Sequence, residues 1–199
     1  DLGVGTFTTC SLVTNTLTNK FYALKATSHQ YMCKPQDQLI KEVNRLKDLD
    51  HPNLIMVHEV INDTTNSKVY IVLEYAEGGA ILTLDETGCA KAPLQPSMAR
   101  NVVIQVVDAL EYLHSNHISH RAIKPENILL LGDGKTVKLA DYGTSYLFYN
   151  GQEGVALSAQ YMFMAPEMCT DALVSGMFCD IWALGITCYV FIWGCVPWT

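Results

Sequence analysis

Residues 120–127 read His120-Arg121-Ala122-Ile123-Lys124-Pro125-Glu126-Asn127, and Asp141-Tyr142-Gly143 follows shortly after. Between them, short strands are expected at 128–131 and 137–139, on either side of the turn Gly132-Asp133-Gly134. Upstream, Pro96 stands where a first helical turn accepts proline. Ala99, Val102, Val103, Val106, Ala109, Leu110 and Leu113 then form an apolar stripe at helical spacing. Downstream, 143–159 has no clear period and reads as a long loop. Ala165-Pro166-Glu167 and Asp180-Ile181-Trp182-Ala183-Leu184-Gly185 come next, inside a tail whose residues 181–198 carry no charge.

The half before Glu77-Gly78-Gly79 reads differently. Thr, Val, Phe and Tyr crowd the first 25 residues, which suggests strands broken by a turn at 15–19. Leu39, Val43, Leu46 and Leu49 predict a helix over 36–49, which His51-Pro52-Asn53 stops. Strands are expected at 54–61 and 69–75, joined by the polar 62–67. The order is therefore a β-rich part with one helix, residues 1–79, followed by an α-rich part, residues 80–199, in the α+β class.

Composition narrows the function. Of 199 residues, 49% are hydrophobic and 17% charged, against about 25% charged in an average soluble domain, so a disordered chain is excluded. A net charge of −7 excludes a broad basic footprint for nucleic acid. No basic residue follows Lys138, and we expect the chain to be part of a longer protein. Seven cysteines without a CxxC pair suggest free thiols and a cytoplasmic setting. In that setting the sequon Asn62-Asp63-Thr64 reads as chance.

The motifs at 120–127, 141–143, 165–167 and 180–185 stand in an order and spacing that resemble the protein kinase family over the whole chain. The resemblance implies a bilobal protein kinase-like fold whose larger lobe lacks its last helices here, with protein substrates or signalling partners and ATP and Mg²⁺ as cofactors. It implies a phosphate-covering loop at Gly3-Val4-Gly5, a phosphate-binding Lys25 at the end of Tyr22-Ala23-Leu24-Lys25, and Glu42 as the partner of that lysine. A hinge is implied at Glu74-Tyr75-Ala76, with Leu73 guarding the back pocket and Ala23 and Leu129 around the adenine. Asn127 and Asp141 are the implied metal ligands, hard oxygen donors that suit Mg²⁺, and Lys124 the cation at the transferring phosphoryl.

Within the family the chain is most similar to the calcium/calmodulin-dependent protein kinase kinase branch. The residues behind this are Leu49-Asp50-His51-Pro52-Asn53, Phe163-Met164-Ala165-Pro166-Glu167 and Gly185-Ile186-Thr187-Cys188-Tyr189-Val190-Phe191. That branch's basic, proline-rich insert before the first helix is absent, and its calmodulin-binding segment would lie beyond Thr199. Calmodulin regulation has no support in these residues.

The chain also departs from the family. Where the family has an aspartate that accepts the substrate proton, this chain has Ala122. Thr8 replaces the third glycine of the phosphate loop, Gln160 a threonine that would brace the missing aspartate and Lys124, and Ala80 a ribose-binding acid. Tyr142 for Phe is a mild change. Loss of the aspartate and its brace together is what a pseudokinase would carry. The alternatives are a weakly to normally active serine/threonine kinase and an interaction module that binds no nucleotide. For a phosphorylated loop, Arg121 and Lys138 are the candidate anion partners and Thr144, Ser145 and Ser158 the candidate acceptors.

Three features have plainer readings. His114, His117 and His120 are spaced like metal ligands, but the first two fit the end of a helix and the third a packed core. Cys10 is either a reactive thiol facing the nucleotide or a small apolar residue. The uncharged run 181–198 just reaches membrane-spanning length, but Asp180, Trp182 and Gly185 fit a buried central helix, with the aspartate bracing the His-Arg backbone.

Overall fold

The computed structural model describes residues 1–4, 8–31, 36–142, 161–169 and 174–198. They form two compact units. The first holds Asp1–Asp50 and Ile55–Tyr75. The second holds His51–Leu54, Ala76–Tyr142 and the described part of Glu153–Thr199. Where the sequence suggested one contiguous split at 79, the short segment His51–Leu54 joins the second unit.

The first unit is a five-stranded antiparallel sheet with a helix. The strands are β1 (Gly3–Val4), β2 (Thr8–Thr14), β3 (Phe21–Ser28), β4 (Val57–Asp63) and β5 (Lys68–Glu74), in the order β1-β2-β3-β5-β4. The β2–β3 turn is built by Asn15, whose Oδ1 accepts the amides of Leu17 and Thr18 at 2.9 and 3.0 Å. Side chains alternate along β3: Ala23, Lys25 and Thr27 are buried and their neighbours are not. Helix α1 (Gln36–Leu46) packs on β4. Val43 and Leu46 are buried, as the spacing predicts, and Leu49 is buried in the turn that follows. The helix therefore ends a turn earlier than its apolar pattern does.

The second unit is built on α2 (Pro96–Ser115). Its buried stripe is Ala99, Val102, Val106, Ala109, Leu110 and Leu113. It packs against β8 (Val137–Leu139) and α3 (Gly176–Trp193). A small antiparallel sheet runs β6 (Gly79–Ala80), β7 (Ile128–Leu130), β8. Gly78 lies so close to β7 that a Cβ on it would fall 2.6 Å from the Leu130 carbonyl oxygen, which explains a glycine there. Leu54 bridges to Leu139, and Asn53 Nδ2 donates to Gln105 Oε1 (2.7 Å) and the Val137 carbonyl (2.9 Å). These contacts draw the 51–54 segment into this unit.

One expectation is corrected here. Cys89 and Cys195 are joined in a disulfide, against the expectation of free thiols. The two backbones meet in an antiparallel bridge, a juxtaposition that 106 residues of separation hides from the sequence. Cys10, Cys179 and Cys188 remain thiols, and burial pushes those of Cys179 and Cys188 up, which makes them poor nucleophiles. Helix α3 is long and apolar enough to cross a membrane by length and composition, yet it is neither wholly buried nor wholly exposed. One face, with Asp180, Ala183, Thr187, Val190 and Phe191, enters the core, while Phe178, Ile181, Ile192 and Trp193 face outward. Gly194 ends the helix at φ +79°, in the left-handed conformation of a glycine cap.

Candidate functional site

The first unit carries one group of the expected residues. Cys10, Lys25 and Ile71 are cross-strand partners, as are Leu12, Ala23 and Leu73. Opposed residues in antiparallel strands share a face, so Ala23 and Lys25 lie on one side of the sheet, two residues apart. Lys25 is 9% exposed. Thr8 opens β2 opposite Thr27, on that same face. Gly3 pairs with Cys10 at the sheet edge, while Gly5 lies outside the described residues. Glu42 is half-buried on α1. Glu74 is tied to Met56 twice: its amide donates to the Met56 carbonyl at 2.9 Å, and its Oε2 accepts the Met56 amide at 3.1 Å.

The second unit carries the remainder. Asp180, 1% exposed, accepts the amide of His120 on Oδ2 at 2.8 Å and that of Arg121 on Oδ1 at 2.7 Å. The brace expected from the sequence is thus in place. His114 Nε2 also meets Oδ2, at 2.8 Å. These contacts hold a strained turn, because Arg121 sits at φ +65°, a conformation that favours glycine.

His120 is fully buried. Its Nδ1 accepts the Ala122 amide at 3.1 Å, which leaves the ring proton on Nε2. Burial pushes its pKa down to about 4, against the opposing charges of Asp180 and Asp141, so the ring is neutral near pH 7. His114 and His120 are therefore committed to holding this loop. Among the described residues no group of three or more His, Cys, Asp or Glu side chains could hold a metal.

Past Ala122 the loop closes on itself. Asn127 Nδ2 donates to the Ala122 carbonyl at 2.7 Å, and the Asn127 carbonyl accepts the Ala140 amide at 2.8 Å. With its nitrogen so used, the Asn127 Oδ1 is the atom left to a cation. Asp141 follows at φ +64°, a second left-handed non-glycine position. One carboxylate and one amide oxygen suit Mg²⁺, which keeps waters and takes phosphate oxygens to complete its octahedron. By donor chemistry these two residues suit that ion. Lys124 is half-exposed, Ala76 is buried, and Leu129 is half-exposed opposite Ala80 and Lys138. Arg121 Nε donates to Ser119 Oγ at 3.0 Å, and Lys138 Nζ to the Leu54 carbonyl at 3.1 Å. Both cations thus hold local structure. Gln160 and the candidate acceptors Thr144, Ser145 and Ser158 lie outside the described residues.

Sequence reasoning missed two supports of this site. The Asn53–Gln105–Val137 tie joins residues far apart in the chain and left no local signal. His114 stood inside the three-histidine pattern, but its partner Asp180 is 66 residues away.

Comparison with known proteins bears on what this arrangement belongs to. The protein kinase domain profile matches residues 1–199. A probable serine/threonine-protein kinase of Dictyostelium discoideum is 33% identical over 98% of this chain, which covers 29% of that protein. The carbon catabolite-derepressing protein kinase of Secale cereale is 34% identical over 98% of the chain, 39% of its own length. The serine/threonine-protein kinase GRIK1 of Arabidopsis thaliana is 33% identical over 98% of the chain, 51% of its length. The chain spans about half or less of each. A β-rich unit with one helix, an α-rich unit with a braced loop, and a match along the whole sequence together place this chain in the protein kinase family, among relatives that are serine/threonine kinases.

Proposed function

We propose that this domain binds ATP with Mg²⁺ and transfers the γ-phosphoryl poorly, so that it works chiefly as a scaffold or allosteric partner in signalling. The observation that carries this reading is the loop around position 122. It is braced by Asp180, tied by Asn127 and packed on a neutral His120, yet the residue it presents is an alanine.

The chemistry separates binding from transfer. Phosphoryl transfer depends on positioning and on neutralising phosphate charge. Mg²⁺, when bound, supplies much of that neutralisation. Lys25 is the cation for the α- and β-phosphates, with Glu42 proposed to steady it. Asn127 and Asp141 are the oxygen donors for the metal, and Ala23, Glu74, Ala76 and Leu129 belong to the adenine region. None of these roles needs a carboxylate at 122. Accepting the proton of the attacking hydroxyl does, and losing a general base costs about 10²–10⁴-fold in rate.

The order of the rest of the loop and the names of the relatives favour a second reading, a slow but genuine kinase acting on protein hydroxyls. Similarity to the calcium/calmodulin-dependent protein kinase kinase branch belongs to either reading.

Thermal stability titrated with ATP and Mg²⁺ tests binding first. At 100 times Kd, ligand stabilises by about 2.7 kcal/mol, roughly 5–11 °C in Tm for a chain of this size. No shift at millimolar nucleotide would rule out nucleotide binding and leave an interaction module. Transfer of labelled γ-phosphate then separates the two readings: turnover of about 1–100 s⁻¹ is ordinary for a kinase and would refute impaired catalysis.

A further inference from the structure

The catalytic loop is fixed on both sides of a residue that has no functional group. The Ala122 amide donates to His120 Nδ1 at 3.1 Å, and the Ala122 carbonyl accepts from Asn127 Nδ2 at 2.7 Å. The two preceding amides are held by Asp180. Ala122 is half-exposed. Two residues on, Lys124 is half-exposed too. Among the described residues, no hydrogen bond or ion pair reaches it. A fixed backbone, a side chain that stops at Cβ and a cation two residues on, with no counter-charge among the described residues, together favour a small anion at this place.

We propose that the position beyond the Ala122 methyl is a subsite for a carboxylate supplied from outside the chain, held by Lys124, and that this carboxylate restores the missing proton acceptor. The inference rests on the nucleotide-binding reading above. The atoms balance. The O–H bond of the acceptor hydroxyl breaks and its proton passes to the carboxylate. The freed oxygen forms a bond to the γ-phosphorus, and the bond from that phosphorus to the bridging oxygen breaks as ADP leaves. The carboxylate then loses its proton to water and is unchanged.

The size of the acid follows from the side chain. A methyl plus formate nearly matches the atoms of an aspartate side chain, acetate adds one carbon, and propionate adds two. The carboxylate has two possible sources: a free small acid, or an acidic side chain next to the hydroxyl of the acceptor protein. The chemistry at position 122 is the same for both.

The test uses the full chain at constant pH and ionic strength, with chloride exchanged for formate, acetate or propionate. Transfer from ATP is measured to a degenerate Ser/Thr peptide library with neutral flanks, and to a second library with Asp beside the hydroxyl. Line broadening of ¹³C-formate reports occupancy without turnover, and a MgATP thermal shift reports nucleotide binding in the same samples.

The expected result is a saturable rise of at least about tenfold in transfer with formate, less with acetate and none with propionate, as part of the general-base contribution returns. Formate is broadened by the wild-type chain and not by Ala122→Asp, whose rate ignores formate. A response to formate identifies the free acid as a competent source. A response only to the Asp-flanked library identifies the acceptor protein, and either response supports the proposal. A MgATP shift with no response in either arm overturns this inference and leaves the nucleotide reading standing. Absence of the MgATP shift overturns both. Equal acceleration of Ala122→Asp exposes a general salt effect and also overturns the proposal.

Discussion

Asp180 is the residue on which the 120–127 loop hangs, and its removal has a cost that can be worked out. The carboxylate is 1% exposed and accepts the amides of His120 and Arg121 at 2.8 and 2.7 Å. Asp180→Ala leaves two amides without their acceptor, one of them fully buried. An unsatisfied buried donor costs about 1–3 kcal/mol, so the pair costs about 2–6 kcal/mol. The left-handed Arg121 then relaxes, since nothing offsets its strain. At about 2–4 °C per kcal/mol, Tm should fall by roughly 4–24 °C. Domains are stable by only about 5–15 kcal/mol, so the alanine variant risks failing to fold, and two milder changes guard the test. Asp180→Asn keeps an acceptor for one amide and should lose about 1–3 kcal/mol. His114→Ala removes the third partner alone and should lose about 1 kcal/mol. Urea denaturation followed by circular dichroism gives all three values. The reasoning is refuted if Asp180→Ala lies within 1 kcal/mol of wild type, or if His114→Ala is the most damaging of the three.

Further outcomes follow from other parts of the structure. The pKa of His120 is depressed to about 4, so the unfolded chain binds its proton more readily. Its contribution to stability is complete above about pH 6.5 and is lost as pH falls toward 4, about 3 kcal/mol in all. The pH dependence of the denaturation midpoint should flatten in that window in His120→Phe, and an unchanged profile would count against the buried neutral ring. Leu113 is fully buried on α2, and Leu113→Ala should destabilise by about 2–5 kcal/mol in the same urea assay. Gly78→Ala would set a methyl against the Leu130 carbonyl, so β6 must shift from β7. Faster exchange of the Ile81 and Gly78 amides, which donate to Ile128 and Leu130, is the sign of it.

Legibility in the sequence depended on range. Helix α2 could be read because its apolar period is a local property. Lys25 and Ala23 were singled out only through the family resemblance, and their shared face on β3 came from the structure. The brace from Asp180 was legible only through the family resemblance, since the carboxylate and the His120 amide are 60 positions apart in the chain. The Cys89–Cys195 disulfide was not legible: neither cysteine has a close neighbour in sequence, and two loops had to meet first. The apolar run at the C-terminal end reads as a central core helix. Only one of its faces is buried, and an all-round apolar pattern carries no phase that could say which. Residues 51–54 followed a helix and preceded strands of the first unit, yet Asn53 and Leu54 bond within the second.

The central claim is that nucleotide binding survives in this domain while proton acceptance at position 122 does not. The most direct measurement is γ-phosphate transfer by the wild-type chain and by Ala122→Asp, side by side at saturating ATP and Mg²⁺. The account predicts a slow wild type and a rise of about 10²–10⁴-fold in the variant. A wild type that already turns over at about 1–100 s⁻¹, and that Ala122→Asp leaves unchanged, would contradict it.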